Sequence, residues 1–274
     1  MNNRILVPLD GSESVGEVLL YVTTLTPRDA TEITLLTVVP GKETEASGEA
    51  HAWKLHDELG KAGWSVTRET RMGDPVEEIV KFAIMSSATL LVMSTHGRSG
   101  LERVRDGSVT EQVLKQSPCP VFILHSSLAE PNDRRTEKLF KRILVPLDGT
   151  KMSASILICV ERFAKMHDSE VILFHDEMDH SEYDRAAVKE DLQDQSVKLA
   201  NSDLKVSLDM STYRRPIREI LSKIDDMNID LVSMATHGIS GVRRALDESV
   251  TAEVIRHSNC PLLVWSADPQ CPPG

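Results

Sequence analysis

The stretch RILVPLDG occurs twice, at Arg4–Gly11 and at Arg142–Gly149. Each copy is a short apolar run closed by Asp-Gly, the pattern of a buried strand that ends in a turn. Asp10 and Asp148 are 138 residues apart, and two further pairs keep nearly that spacing. Thr95–Gly97 returns as Thr236–Gly238, and SPCPVFIL (Ser117–Leu124) returns as SNCPLLVW (Ser258–Trp265), both 141 residues on. So long a period is no solenoid repeat; it marks a duplicated domain. A chain of 274 residues has room for two domains of ordinary size. The polar segment Ser126–Leu139 has no apolar period and reads as the connection. The expected organisation is a first domain at 1–127, a linker at 128–139, a second domain at 140–268 and a tail at 269–274.

Within each half, apolar runs alternate with helical patterns. The first half gives strands at Arg4–Leu9, Glu32–Val39, Trp64–Thr70, Leu90–Ser94 and Val121–His125. Helical stretches lie between them at Ser14–Thr26, Glu45–Lys61, Val76–Ser86 and Val109–Gln116. The second half gives strands at Arg142–Leu147, Glu170–His175, Lys205–Met210, Leu231–Ala235 and Leu262–Ser266. Runs such as ITLLTVV (Ile33–Val39) imply strands buried on both faces, and the alternation implies βαβ units in a parallel sheet. Aromatic residues are only 4% of the chain, so Leu, Val, Ile, Ala and Met must fill the cores.

The formal net charge of −11 disfavours nucleic acid and anionic membranes as partners. No apolar run approaches the ~18 residues that a membrane helix needs. The start, MNNRILVPLDG, does not read as a signal peptide. Cys119, Cys159, Cys260 and Cys271 form no CxxC pair, and His51, His56 and Asp57 have poor metal spacing. A reduced, cytoplasmic setting and no metal site are expected.

STHGRSGLERVRDGSVTEQVL (Ser94–Leu114) follows the fourth strand. Gly97 and Gly100 permit tight turns and close ligand approach. Ser108 suits a helix N-cap, with Glu111 completing a capping box. A helix start beyond a strand end is a ready anion site, though such features also serve as plain turns and caps. His96 and His237 read as structural residues of the THG turns. Asp10 reads either as a ligand contact or as a cap of the following turn, and Asp148 as a cap.

RILVPLDGSE (Arg4–Glu13), VMSTHGRSGL (Val92–Leu101) and DGSVTEQVLKQSPCPVFIL (Asp106–Leu124) resemble the universal stress protein family in a tandem two-domain form. The resemblance spans nearly the whole chain. It implies an α/β fold of two tandem, open, doubly wound domains similar to adenine nucleotide α-hydrolases. Each domain would carry a mostly five-stranded parallel sheet with helices on both faces. ATP-binding members carry glycine, two residues, glycine, nine residues, then glycine with Ser or Thr. That pattern falls on Ser94, Gly97, Gly107 and Ser108, with serine in place of the first glycine. The resemblance puts Asp10, beside Pro8, on the ribose and the backbone near Val38 and Val39 on the adenine. Gly97, Gly107 and Ser108 would meet the phosphates, with Gly100 in the same loop and Arg98 as an optional charge contact.

In the second half the pattern falls on Ala235, Gly238, Glu248 and Ser249. Glu248 replaces a phosphate-facing glycine, Asp176 replaces Val38, and Arg214-Arg215-Pro216 replaces Gly73-Asp74-Pro75. A carboxylate ~4 Å from a phosphate costs up to ~4 kcal/mol at an effective dielectric near 20. The second site is therefore expected to be degenerate, unless Arg214 and Arg215 restore anion binding. The leading expectation is a stress-response protein holding ATP or AMP, with or without Mg, in domain 1 as a regulatory or partner-binding module. The alternative is a nucleotide-free interaction scaffold. No Walker loop and no base–nucleophile pair stand out, so no catalytic residue is expected; slow ATP hydrolysis stays open. The family further implies pairing of terminal strands, here as an intrachain pseudo-dimer, with homodimers and an unidentified protein partner open.

Overall fold

A computed structural model describes residues 3–10, 15–39, 46–94, 109–124, 139–176, 182–236, 247–258 and 260–266. The chain divides into two compact units, the first built on Met1–Thr136 and the second on Glu137–His237 and Gly241–Ala267. In the first unit, β1 (Asn3–Leu9), β2 (Thr31–Val39), β3 (Ser65–Met72), β4 (Leu90–Ser94) and β5 (Val121–Leu124) pair in parallel. Their order is β3-β2-β1-β4-β5. Helices α1 (Val15–Leu25), α2 (Ala46–Lys61), α3 (Pro75–Met85) and α4 (Val109–Gln116) link them. α1 packs with α2, and α3 with α4.

The strand sequences explain their places. β5 is VFIL, buried at every position, and β1 and β4 are buried through their middles, as a parallel sheet covered on both faces requires. β3, SVTRETRM, alternates exposed and half-buried residues. Its charges suit an edge, because they discourage pairing with another chain. α3 starts cleanly: Asp74 accepts hydrogen bonds from the N–H groups of Val76 (2.9 Å) and Glu77 (3.1 Å), with Pro75 at the first helical position.

The second unit repeats the plan with β6 (Arg142–Pro146), β7 (Glu170–Asp176), β8 (Lys205–Ser211), β9 (Leu231–Thr236) and β10 (Leu262–Ser266). Their order is β8-β7-β6-β9-β10. The helices are α5 (Leu157–His167), α6 (Glu182–Ala200), α7 (Pro216–Asp226) and α8 (Asp247–His257). A short 3-10 turn, Ser153–Ile156, precedes α5. The charged run Glu182–Asp194 lies in α6.

Differences from the sequence reading are at strand ends. β3 runs on to Met72 because its backbone stays paired with β2 as far as Val39↔Met72. β7 and β8 each gain a residue through the pair Asp176↔Ser211. The linker expected at 128–139 lies, apart from Leu139, outside the described residues, as does the tail.

Phe122 on β5 is fully buried with its ring 5.8 Å from that of Tyr21. Replacing it with Ala is expected to cost about 3–5 kcal/mol. Urea denaturation followed by circular dichroism checks this; a loss below about 1 kcal/mol would contradict the packing described.

Candidate functional site

The two central strands of the first unit are pinned at one end and parted at the other. At the amino end, the Arg4 N–H donates to Thr89 Oγ1 (2.9 Å) and the Thr89 N–H to the Arg4 carbonyl (2.8 Å). β1 and β4 then pair only at Ile5↔Leu90 and Leu6↔Leu91. Beyond that, β1 follows β2 as far as Leu9↔Thr37, and β4 follows β5 as far as Ser94↔Leu124. The strand order reverses here, and open α/β sheets bind ligands in the crevice at the carboxyl ends of such strands. The second unit repeats the device: β6 and β9 pair only at Ile143↔Leu231 and Leu144↔Val232.

Five of the candidate residues come to this end of the first unit. Pro8 is half-buried on β1, and Asp10 follows it, exposed. Val38 is half-buried and Val39 buried at the end of β2. Ser94 closes β4; its hydroxyl oxygen is buried and has no hydrogen-bond partner among the described residues. The Ser94 carbonyl accepts a long bond, 3.4 Å, from the buried Thr110 hydroxyl, which ties the first turn of α4 to the end of β4. Gly97, Arg98, Gly100, Gly107 and Ser108 lie outside the described residues.

One contributor went unread in the sequence. The Gly73 N–H donates to the Val39 carbonyl at 3.1 Å, so the β3–α3 turn is tied to the end of β2. Gly73 has φ +151, and a Cβ there would lie 3.1 Å from Glu78 Cγ. The signal was present as Gly-Asp-Pro, a turn followed by a capped helix start.

The second unit is built differently at the same place. Asp176 stands in register where Val38 stands in the first unit: Val38 pairs with Arg71, and Asp176 with Ser211. Three residues separate Arg71 from Pro75, but four separate Ser211 from Pro216. The longer connection turns at Arg214, with φ +56, and wraps the buried Asp176 carboxylate. That carboxylate accepts from Ser211 Oγ (2.9 Å), the Arg214 N–H (3.1 Å) and the Arg215 N–H (2.6 Å). The backbone of the two arginines therefore serves an internal anion. Next to Asp176, the buried His175 donates from Nδ1 to the Leu147 carbonyl at 2.8 Å. Ala235, the counterpart of Ser94, has no hydroxyl to offer. Gly238 and the side chains of Glu248 and Ser249 lie outside the described residues.

Asp148 caps its own turn. Its carboxylate accepts from the Thr150 N–H (2.8 Å) and the Thr150 hydroxyl (2.7 Å), while Gly149 turns at φ +83. Burial pushes the Asp148 carboxyl up, but hydrogen bonds from Ser153 and Thr150 outweigh it and hold the group below the usual carboxylate range. Among the described residues no group of three or more His, Cys, Asp or Glu is placed to hold a metal ion. No helix among them is long and apolar enough to cross a membrane.

This geometry defines an open, doubly wound α/β unit, present twice, whose central strands pair briefly and then part toward their carboxyl ends. The sequence matches the Universal stress protein family over residues 1–125 and again over 139–266, and the chain belongs to that family. The universal stress protein MJ0531 of Methanocaldococcus jannaschii is 32% identical over 137 residues, 44% of this chain and 81% of that one. The crystal structure of a universal stress protein from Archaeoglobus fulgidus matches with a TM-score of 0.71 at 24% identity, over 98% of this chain and 100% of that one. A universal stress protein solved in complex with cAMP aligns with 46% of this chain and 98% of its own, at 23% identity and a TM-score of 0.38.

Asp148→Ala is expected to cost about 0.5–2 kcal/mol at pH 7. The unfolded carboxyl titrates near ~3.9 and the folded one lower. The stabilisation is therefore complete above that value and lost as pH falls through the folded one. Urea denaturation of both proteins at pH 7 and below pH ~3 tests this; a gap that widens in acid would contradict the assignment.

Proposed function

We propose that this chain binds one adenine nucleotide, ATP or AMP, in the crevice between β1 and β4 of its first unit. Binding makes it a regulatory or partner-binding module of a stress response in the cytoplasm, without a catalytic role. The observation that carries the reading is the contrast at one register position. The first unit presents the uncharged Val38 beside the crevice, and the second presents the buried Asp176 carboxylate. A nucleotide site needs an apolar wall for the base and a few placed polar groups. In this reading the half-buried Val38 and the backbone at Val39 face the base, and Asp10 is a carboxylate for ribose hydroxyls. The Ser94 hydroxyl, without a partner among the described residues, is a further hydrogen-bonding group at the end of β4. Gly97, Gly107 and Ser108 take the phosphates in this reading, with Gly100 in the same loop and Arg98 at its rim. Mg, where present, rides on the phosphates.

The test is nucleotide content of freshly purified protein by heat release and chromatography, then calorimetric titration with Mg-ATP and with AMP. About one nucleotide per chain is expected. Gly107→Glu should abolish binding. Asp10→Ala, which removes a charged hydrogen-bond acceptor, should weaken it about ten-fold or more. Two nucleotides per chain would overturn the account of Asp176. No released nucleotide and no heat at millimolar ATP would leave the interaction scaffold as the function.

A further inference from the structure

The start of α7 breaks a local rule. A helix carries partial positive charge at its amino end, so acidic side chains are favoured there and basic ones disfavoured. α3 of the first unit obeys, with Asp74 as its N-cap and Glu77 and Glu78 in its first turn. Pro75 and Pro216 align the two helices, each at the first helical position. At the positions of Gly73, Asp74 and Glu77, α7 and its approach carry Arg214, Arg215 and Arg218, while Glu219 keeps the acid of Glu78. Arg214 also holds φ +56, a region that a residue other than glycine occupies only when its surroundings dictate it. The junction does not require arginine side chains: Arg215 makes no side-chain capping bond, and Asp176 is served by backbone N–H groups of Arg214 and Arg215 that any residue but proline carries. Residues that defy local preference without structural gain are where function is to be sought.

The burial of Asp176 sets up their display. With the N–H groups of Arg214 and Arg215 drawn onto its carboxylate, both residues stand exposed, as do Arg218 and Tyr213, the last at 72%. Among the described residues neither Arg215 nor Arg218 has an ion-pair partner. Beside them runs a groove of about 710 Å³. Pro216, Ile217 and Leu221 form its apolar wall, and Asp225 is its one carboxylate. A net charge of −11 repels acidic molecules from most of the chain, so a basic groove selects its partner locally.

We propose that this groove docks an acidic peptide segment of a partner protein. An apolar side chain of the segment rests on Ile217 and Leu221, and its carboxylates meet Arg215 and Arg218. The apolar wall has no use for a free phosphate. Three arginines gathered at one helix start do not form the extended basic track that a nucleic-acid strand follows. The proposal does not depend on nucleotide binding in the first unit.

The test is fluorescence anisotropy of the full chain, at low and at physiological salt, with a labelled Glu-rich peptide carrying central leucines. Its Gln-for-Glu counterpart and a labelled oligothymidylate are run beside it. The Glu peptide is expected to bind at low salt, at least about ten-fold tighter than the Gln peptide, and to weaken as salt rises. The double substitution Arg215→Glu with Arg218→Glu should abolish binding. The same charge change at Lys165 and Lys205 of this unit should leave it intact. Because new glutamates would face Asp176 and Glu219, Arg215→Gln with Arg218→Gln is run as well, and it should melt as the parent does and lose at least about ten-fold in binding. Lost binding then cannot be unfolding. Binding that survives the Glu substitutions or is undiminished by the Gln ones, no binding of the Glu peptide at low salt, or equal binding of the oligothymidylate would each overturn the proposal.

Discussion

Each unit depends on where its two central strands part. β1 is held to β4 through Arg4 and Thr89 at its amino end, and the ladder ends after Leu6 and Leu91. The sheet twists, and strands that leave the centre toward opposite edges carry their helices with them. Hydrogen bonding then continues outward from the centre, β1 with β2 and β4 with β5, while the middle opens. The open middle needs no special residue; it follows from strand order. What the crevice can do is decided by the few side chains that stand at its rim.

The duplication makes the second unit a control for the first. The pinning contact is kept in kind: Asp230 takes the N–H groups of Lys141 (2.8 Å) and Arg142 (3.0 Å), where Thr89 serves Arg4. The short central ladder is kept as well. The rim is what differs. A valine at the end of β2 asks nothing of its neighbours, but a carboxylate buried at the end of β7 must be satisfied or it destabilises the fold. Asp176 is satisfied by a hydroxyl and two backbone N–H groups, and the connection to α7 is longer by the residue needed to bring them round.

The sheet was readable because strands buried on both faces appear as unbroken apolar runs, and two copies of RILVPLDG fixed the halves against each other. β4 and α4 fall on Leu90–Ser94 and Val109–Gln116, the limits the pattern gave. The edge strand β3 was harder, because half-exposed strands carry charges that resemble loop sequence. Of the candidate residues, Pro8, Asp10, Val38, Val39 and Ser94 were named from motif and resemblance, and the structure gathers them at one end of the sheet. The partners of Asp176 were hidden. They lie 35, 38 and 39 residues away, and nothing local in the sequence announces a bond across that distance. The glycine of the β3–α3 turn was visible, but its bond to Val39 depends on strand pairing that only the fold supplies.

Asp176 also connects two features that look separate. In the first unit the negative charge at the strand-to-helix junction sits on the helix side, where Asp74 caps Val76 and Glu77. In the second unit it sits on the strand side, where Asp176 reaches the N–H groups of Arg214 and Arg215 from below. A carboxylate at the strand end relieves the helix of the need for an acidic cap. The helix start can then carry arginine, because buried negative charge close behind it offsets the unfavourable field of the helix. The carboxylate that puts a buried charge at the end of β7 thus permits a basic outer face at the start of α7.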